Sequence, residues 1–194
     1  GDADLAVAQI TTRDIDRGDH PHYLMKEIGE APTSFRKTLR GKVLDGPDGP
    51  SVSLGPEIIP TEVRAAIADG SIDRVLVIGQ GTAAVAGQSL AAALDALVPE
   101  GRITAQAILA TELSGFALRT DMSDTLIVAV SQSGTTTDTT RTVDIVRNRG
   151  ARVIAIVNRR GSDLTDRADG VLYTSDGRDV EMSVASTKAF YSQI

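Results

Sequence analysis

The sequence predicts an α/β fold built on a doubly wound, mostly parallel sheet of five strands. Short apolar runs recur along the chain, and most are followed by a turn and a helical segment. Strands that are apolar along their whole length are buried on both faces, which requires helices on both sides of a parallel sheet. The predicted strands cover residues 74–78, 103–109, 125–130, 152–157 and 171–173.

The region before the first predicted strand is less regular. Residues 1–20 are polar and acidic without a clear period, which predicts an arm or linker, and the predicted domain covers residues 21–194. A short helix is predicted over residues 23–30, with Pro32 breaking or restarting it. Other expected elements are a loop at 46–50 and helices at 60–69, 83–97, 111–118, 162–168 and 187–194, with one more ending at Arg149.

Composition excludes several classes of function. The 194 residues are 41% hydrophobic and carry a formal net charge of −6, which disfavours nucleic acid and anionic membranes as partners. The chain has no cysteine, so a disulfide framework, a thiolate nucleophile and a cysteine-ligated metal are excluded. No apolar run approaches the roughly 20 residues of a membrane span, and no signal-peptide pattern opens the chain. We therefore expect a cytoplasmic protein, with no resident metal and no cofactor.

The turn after the third predicted strand, residues 131–136, has the sequence Ser-Gln-Ser-Gly-Thr-Thr. Five of its six side chains can form hydrogen bonds, and the sixth residue is the flexible Gly134. The turn precedes a predicted helix, whose free N–H groups and positive dipole end favour a phosphate. Simple helix capping by Ser133 or Thr135 is the alternative, but one residue would suffice for that. The pattern favours phosphate binding.

The turn after the first predicted strand, residues 79–84, has the sequence Gly-Gln-Gly-Thr-Ala-Ala. It fits a dinucleotide-binding fingerprint, which is a weak signal alone. That fingerprint expects an acidic residue about 20 positions further on, but the chain there reads Ala-Ile-Leu-Ala at 107–110. A tight turn for close helix packing is a second explanation. We favour a second wall of a sugar-phosphate pocket, with a dinucleotide-binding oxidoreductase as an open alternative.

Three segments together resemble one known family. The segment 131–134 is followed about fifty residues later by Val-Ala-Ser-Thr-Lys-Ala-Phe at 184–190, and His-Tyr-Leu-Met-Lys-Glu-Ile stands at 22–28. This combination resembles the isomerase region of glutamine–fructose-6-phosphate aminotransferases, from about residue 20 to the end of the chain. The resemblance implies the first of two sugar-isomerase (SIS) subdomains, with a flavodoxin-like fold. Fructose 6-phosphate or glucosamine 6-phosphate is the implied ligand, and a homodimer the implied assembly.

The resemblance also implies roles for individual residues. Positions that bind the sugar phosphate in the family match Thr82, Ser131, Gln132, Ser133 and Thr136, and positions that line the sugar match Val184 and Ser186. The sequence departs from the family at two places. Ala83 stands where a serine is usual, and Thr135 stands where a glutamate is usual. Either departure would fit an altered sugar or a paralogue.

Catalytic groups are harder to find than binding groups. Isomerising a ketose to an aldose needs a base that moves a proton between two carbons, and Glu181 is the sole candidate near the predicted pocket. The resemblance implies that the family's catalytic residues lie outside this segment, so we assign no catalytic residue. We expect a fragment of a longer transferase that is inactive by itself. A non-catalytic sugar-phosphate sensor is the alternative function.

Overall fold

The computed structural model describes residues 15–99, 101–183 and 185–194. Most of the predicted arm at 1–20 therefore lies outside the described residues, as does Val184. Within the described ranges, five parallel strands form the main sheet: β3 (Arg74–Gly79), β4 (Thr104–Leu109), β5 (Thr125–Ser131), β6 (Arg152–Val157) and β7 (Gly170–Tyr173). Their spatial order is β4-β3-β5-β6-β7.

The sheet confirms the predicted fold class. Numbered along the chain, the five strands lie in the order 2-1-3-4-5, which is the flavodoxin-like arrangement. Each predicted strand agrees with the observed one to within a residue at either end. The agreement is close because a continuous apolar run between turns is the strongest signal that a buried strand leaves in a sequence.

Side chains alternate between the two faces of the sheet and form two buried clusters. In β5, Ile127 and Ala129 join one cluster, whereas Leu126 and Val128 join the other. Helices α4 (Thr137–Arg147) and α5 (Asp163–Arg167) contribute to the first cluster; α2 (Thr61–Asp69) and α3 (Thr82–Leu97) contribute to the second. Both faces are thus covered, as a doubly wound sheet requires.

Helix α1 (Tyr23–Leu39) is a single helix of 17 residues, so the predicted break at Pro32 is wrong. Proline inside a helix removes one backbone hydrogen bond and usually kinks or ends it. Here the buried Glu27 lies before Pro32, and the buried Ser34 and Thr38 lie after it. All three contact the segment 175–183, so tertiary contacts hold both halves of the helix on one surface.

A small hairpin, β1 (Val43–Gly46) and β2 (Gly49–Val52), occupies the region where a loop was predicted. All eight residues of its two strands are exposed. The strands were missed because a short, exposed hairpin has no buried face and therefore no apolar alternation.

The end of the described chain is helical, as predicted. Helix α6 (Lys188–Gln193) packs against α1 and α3. Another helical segment lies between β4 and β5, where Ala110–Glu112 continues into a π-helical turn at Leu113–Ala117. Among the helices the structure describes, none combines the length and the apolar character that crossing a membrane would require.

Candidate functional site

A cavity of about 220 Å³ lies at the carboxyl edge of the sheet, between β3 and β5. After β3 the chain forms β4 on one side of it, and β5, β6 and β7 then follow on the other side. The strand order therefore reverses between β3 and β5. Ligands of open α/β sheets bind at such points. None of the described residues that line it is charged: Gln80, Gly81, Thr82, Ala83, Val130, Ser131, Gln132, Ser133, Thr136, Ser186 and Gln193.

The turn at 131–136 forms one wall of this cavity, and its own hydroxyl groups shape it. The Ser131 hydroxyl oxygen accepts a hydrogen bond from the Gly134 N–H at 3.0 Å. The Ser133 hydroxyl oxygen accepts one from the Thr135 N–H at 3.3 Å and lies 3.1 Å from the Thr135 hydroxyl. The Ser131 and Ser133 hydroxyl groups therefore hold the turn in its shape through bonds within the turn. A residue that only capped α4 would not make these bonds.

Backbone contacts tie the same turn to the loop that follows β6 and to the first turn of α5. The Gln132 carbonyl accepts hydrogen bonds from the N–H groups of Asn158 and Arg159, and the Gly134 carbonyl accepts one from Leu164. The distances are 3.2, 3.3 and 3.0 Å. Two carbonyl oxygens of the turn thus accept hydrogen bonds from neighbouring backbone, while Ser131, Gln132, Ser133 and Thr136 line the cavity.

Helix α4 begins directly after the turn. Thr136 occupies the N-cap position, and no side chain caps this helix end. The N–H groups of a first helical turn have no acceptor within their own helix, and the dipole makes this end electropositive. Asp138 in the first turn is exposed and does not line the cavity. The start of α4 therefore offers backbone N–H donors to an anion, and none of the described residues that line the cavity adds a positive charge.

The turn after β3 forms the opposite wall and is tight. A side chain at Gly79 would place its Cβ 3.0 Å from the backbone of Ala83 and Ala84 and 3.1 Å from the Val130 carbonyl oxygen. Close packing of α3 against β3 and β5 thus explains this glycine without a dinucleotide. Thr82, the first residue of α3, lines the cavity from this side.

The third wall comes from the loop before α6, which contributes Ser186. Helix α1 anchors this loop at several points. Glu27, only 2% exposed, accepts hydrogen bonds from the N–H groups of Met182 and Ser183. The ammonium groups of Lys37 and Lys188 pair with Asp179 and Glu30 at 2.8 and 2.7 Å. Helix α1 therefore has a structural role, because it fixes the loop that carries Ser186.

Two carboxyl groups of this loop have shifted pKa values. Burial raises the pKa of Glu181, and the nearby Glu27 carboxylate raises it further. The Thr187 N–H, which donates a hydrogen bond to the Glu181 carboxylate at 2.6 Å, lowers this pKa in part. For Asp179, burial alone would raise the pKa, but bonds from Lys37, Ser34 and Ser175 hold it below its usual range. Glu181 does not line the cavity; it accepts hydrogen bonds from the start of α6 and from the side chain of Ser186, which does line it.

The structure brings together most of the residues singled out in the sequence. Thr82, Ser131, Gln132, Ser133, Thr136 and Ser186 all line one cavity. Their binding roles stay predictions, as does that of Val184, which lies outside the described residues. Sequence reasoning missed Gln193, which also lines the cavity. Gln193 follows Ala189 by four positions, and residues four apart lie on the same face of a helix. This spacing could have predicted that both residues lie on the buried face of α6, as the structure shows.

Comparison with known proteins matches these features to one family. The sequence of residues 71–194 matches the family model that describes the SIS domain. These residues include the whole main sheet and all three walls of the cavity. The chain belongs to the SIS domain family. This result confirms the sugar-isomerase (SIS) domain that the resemblance implied.

Several relatives of this SIS domain share one description. A glutamine–fructose-6-phosphate aminotransferase (isomerizing) of Pyrobaculum aerophilum is 37% identical over 180 residues, which is 92% of this chain and 26% of the relative. A glutamine–fructose-6-phosphate aminotransferase of Symbiobacterium thermophilum is 39% identical over 181 residues, which is 92% of this chain and 27% of that relative. The chain thus spans about a quarter of the length of these curated relatives.

A solved structure extends the comparison to three dimensions. The C-terminal domain of the glucosamine-fructose-6-phosphate aminotransferase from Francisella tularensis superposes with a TM-score of 0.72 at 25% identity. The match covers 92% of this chain and 46% of that one. The SIS domain described here is therefore similar to a part of an isomerizing aminotransferase in both sequence and fold.

Proposed function

We propose that this SIS domain binds the phosphate of a sugar phosphate as part of an aminotransferase that converts fructose 6-phosphate to glucosamine 6-phosphate with ammonia from glutamine. The observation that carries the proposal is the cavity at the strand switch, where neutral hydrogen-bond donors from two turns meet an uncapped helix start. The similarity to aminotransferases described as isomerizing supports this choice of reaction.

The proposed roles follow from the positions of the side chains. Thr82, Ser131, Gln132, Ser133 and Thr136 would donate hydrogen bonds to the phosphate oxygens, together with N–H groups at the start of α4. Val184 and Ser186 would contact the sugar. Neutral donors suit a ligand that must leave again, because each hydrogen bond is weaker than a salt bridge in a closed site.

The size of the cavity supports a partial site. Complete small-molecule sites usually measure about 300–1,000 Å³, and this cavity measures about 220 Å³. We propose that this cavity holds the phosphate end of the ligand and that other parts of the enzyme complete the site around the reacting carbons. We propose that catalytic groups come from there, and that this chain alone forms no glucosamine 6-phosphate.

We also propose that the domain self-associates. An apolar groove of about 420 Å³ lies between α1 and α6 and is lined by Ile28, Ala31, Pro32, Phe35 and Tyr191. Exposed apolar surfaces of this kind usually mark contacts with another polypeptide. A second copy of the chain is the occupant that the predicted homodimer requires.

Calorimetric titration of the chain tests the proposed ligand class. Fructose 6-phosphate and glucosamine 6-phosphate should bind, whereas fructose without its phosphate should bind far more weakly, because the proposed hydrogen bonds are made to the phosphate. NADH serves as the competing ligand. Binding of NADH without binding of either sugar phosphate would contradict the proposal and favour the dinucleotide hypothesis.

A further inference from the structure

Glu181 lies behind the wall of the cavity to which Ser186 belongs. Its Oε1 accepts a hydrogen bond from the Thr187 N–H at 2.6 Å. The Ala189 N–H and the Ser186 hydroxyl donate to the same carboxylate. Ser186 is partly exposed and lines the cavity, whereas Glu181 does not line it. A ligand in the cavity would therefore lie beside Ser186, with Glu181 as the support behind that residue.

The position of the Glu181 carboxylate is fixed without any ligand. Glu27 of α1 accepts hydrogen bonds from the N–H groups of Met182 and Ser183, the two residues that follow Glu181. The second carboxylate oxygen, Oε2, is fully buried, and no other hydrogen bond reaches it among the described residues. A buried carboxylate oxygen without a donor is costly, so this environment favours a Ser186 hydroxyl that points its proton at Glu181.

The bond to Glu181 decides what Ser186 can offer to a ligand. A hydroxyl group has one proton to donate and two lone pairs that accept, whereas an ionised carboxylate only accepts. The proton between the two groups must therefore come from Ser186. Any hydrogen bond between the Ser186 oxygen and a ligand is then one that the ligand donates. A sugar hydroxyl can donate such a bond, but an ionised phosphate oxygen cannot.

The charge of Glu181 is not needed for the fold. Burial and the Glu27 carboxylate both raise the pKa of Glu181, so the folded chain disfavours its ionised form. A glutamine would accept the same hydrogen bond from Thr187 without burying a charge. What glutamine could not reproduce is a group that only accepts, because its amide nitrogen can donate to Ser186.

We propose that Glu181 is a positioning residue for ligand recognition, which fixes the Ser186 hydroxyl as the acceptor for a hydroxyl group of the sugar. This inference rests on the proposed function, because it presumes that a sugar phosphate binds in the cavity. It divides the cavity by polarity: the turns at 79–84 and 131–136 donate to the phosphate, and the wall formed by Ser186 accepts from the sugar.

Glu181→Gln separates this role from a structural one. At about pH 8 the variant should bind fructose 6-phosphate about two- to tenfold more weakly, because the Ser186 proton is no longer committed to a carboxylate. Its affinity for inorganic phosphate, which lacks the sugar hydroxyl groups, should not change. The variant should nevertheless melt at a higher temperature, whereas loss of a residue that only supported the fold would lower both affinity and stability. Glu62→Gln, on the exposed surface of α2, is the matched control and should leave both affinities unchanged.

A double-mutant cycle tests whether Glu181 acts through Ser186. Ser186→Ala alone should weaken fructose 6-phosphate binding by about two- to tenfold, again with unchanged affinity for inorganic phosphate. Adding Glu181→Gln to Ser186→Ala should cause no further loss, because two changes that remove one interaction are not additive. Calorimetric titration measures all four chains. A further loss in the double variant would overturn the inference.

The outcomes also separate this inference from the proposed function. If the parent chain does not bind fructose 6-phosphate, both fail; if it binds and Glu181→Gln has unchanged affinity, this inference alone fails. Equal losses for fructose 6-phosphate and inorganic phosphate would overturn it as well. Should the variants not fold, the Thr187 amide signal in the parent's NMR spectrum decides, because this N–H reports on the Glu181 carboxylate. Saturating fructose 6-phosphate must shift that signal, and a constant signal overturns the inference.

Discussion

At the scale of single residues, hydroxyl groups of the 131–136 turn serve two purposes. Ser131 is only 3% exposed, and its hydroxyl holds the Gly134 N–H, so it shapes the turn while lining the cavity. Ser133 is less buried, and its bonds to Thr135 span only two residues. Ser133 is therefore the better position for separating ligand binding from folding.

We expect Ser133→Ala to weaken fructose 6-phosphate binding by about ten- to a hundredfold, because a hydrogen bond to a charged group contributes about 1.5–3 kcal/mol. The melting temperature should change little. Arg141→Ala is the control, since Arg141 is exposed on α4 and does not line the cavity. Calorimetric titration compares both variants with the parent. An effect of Arg141→Ala alone would mean that the phosphate binds at another site.

Glu181 gives a prediction about pH. Its pKa is raised in the folded chain, above all by burial, so folding favours its protonated form. The stability it contributes is fully present below the ordinary glutamate pKa and is lost as pH rises through the raised pKa. Glu181→Gln keeps an acceptor for the Thr187 N–H and removes the buried charge. The variant should therefore melt at a higher temperature than the parent at about pH 8, and this gain should shrink toward about pH 4.

Thermal unfolding followed across that pH range measures the effect. Glu62→Gln is the control, because Glu62 lies exposed in the first turn of α2, where a negative charge is favourable. It should produce no gain at about pH 8. A gain for Glu181→Gln that is equal at both ends of the range would show that the buried charge is not its cause.

At the scale of elements, the geometry of the 131–136 turn depends on Gly134. Its φ of +66° is a conformation that other residues adopt only with strain. A Cβ atom there would lie 2.7 Å from the Cβ of Ser162 and 2.9 Å from Cγ2 of Val157, and would also overlap the Ser162 hydroxyl. The turn can therefore approach the loop after β6 only because this residue has no side chain.

Gly134→Ala should lower the free energy of unfolding by about 1–3 kcal/mol through backbone strain, with the steric overlap adding to this. It should also abolish phosphate binding, since the whole turn must move. Gly29→Ala is the matched control, because Gly29 lies inside α1 with open space around it. That variant should gain about 0.5–1 kcal/mol. Urea unfolding curves test both, and a Gly134→Ala chain as stable as the parent would contradict the argument.

At the scale of the whole molecule, the exposed face of α1 and α6 predicts association. Tyr191 is 56% exposed and Phe35 44% exposed, and both border the apolar groove. Sedimentation at tens of micromolar, about the range expected for an ordinary interface, should therefore show dimers. Tyr191→Glu should shift the chain toward monomer, whereas Phe116→Glu, on the exposed π-helical turn, should not. A parent chain that sediments only as monomer would refute the prediction.

The sequence by itself determined the sheet and the place of the cavity. Apolar runs predict the five strands. The polar turns that directly follow two of these strands lie at one edge of the sheet, because the carboxyl ends of parallel strands all lie at that edge. Ser131 to Thr136 and Thr82 could thus be placed near one another without coordinates. Both signals are local, since they depend on residues that are neighbours along the chain.

The tertiary structure alone decided three further features. Helix α1 continues through Pro32 because Glu27, Ser34 and Thr38 contact the segment 175–183. Glu181 lies behind the cavity lining, where it contacts the start of α6 and the side chain of Ser186. The buried Gln193 joins the cavity because α6 packs against α3. Each feature depends on residues far apart in the chain, and such contacts are decided by packing energies that no local pattern records.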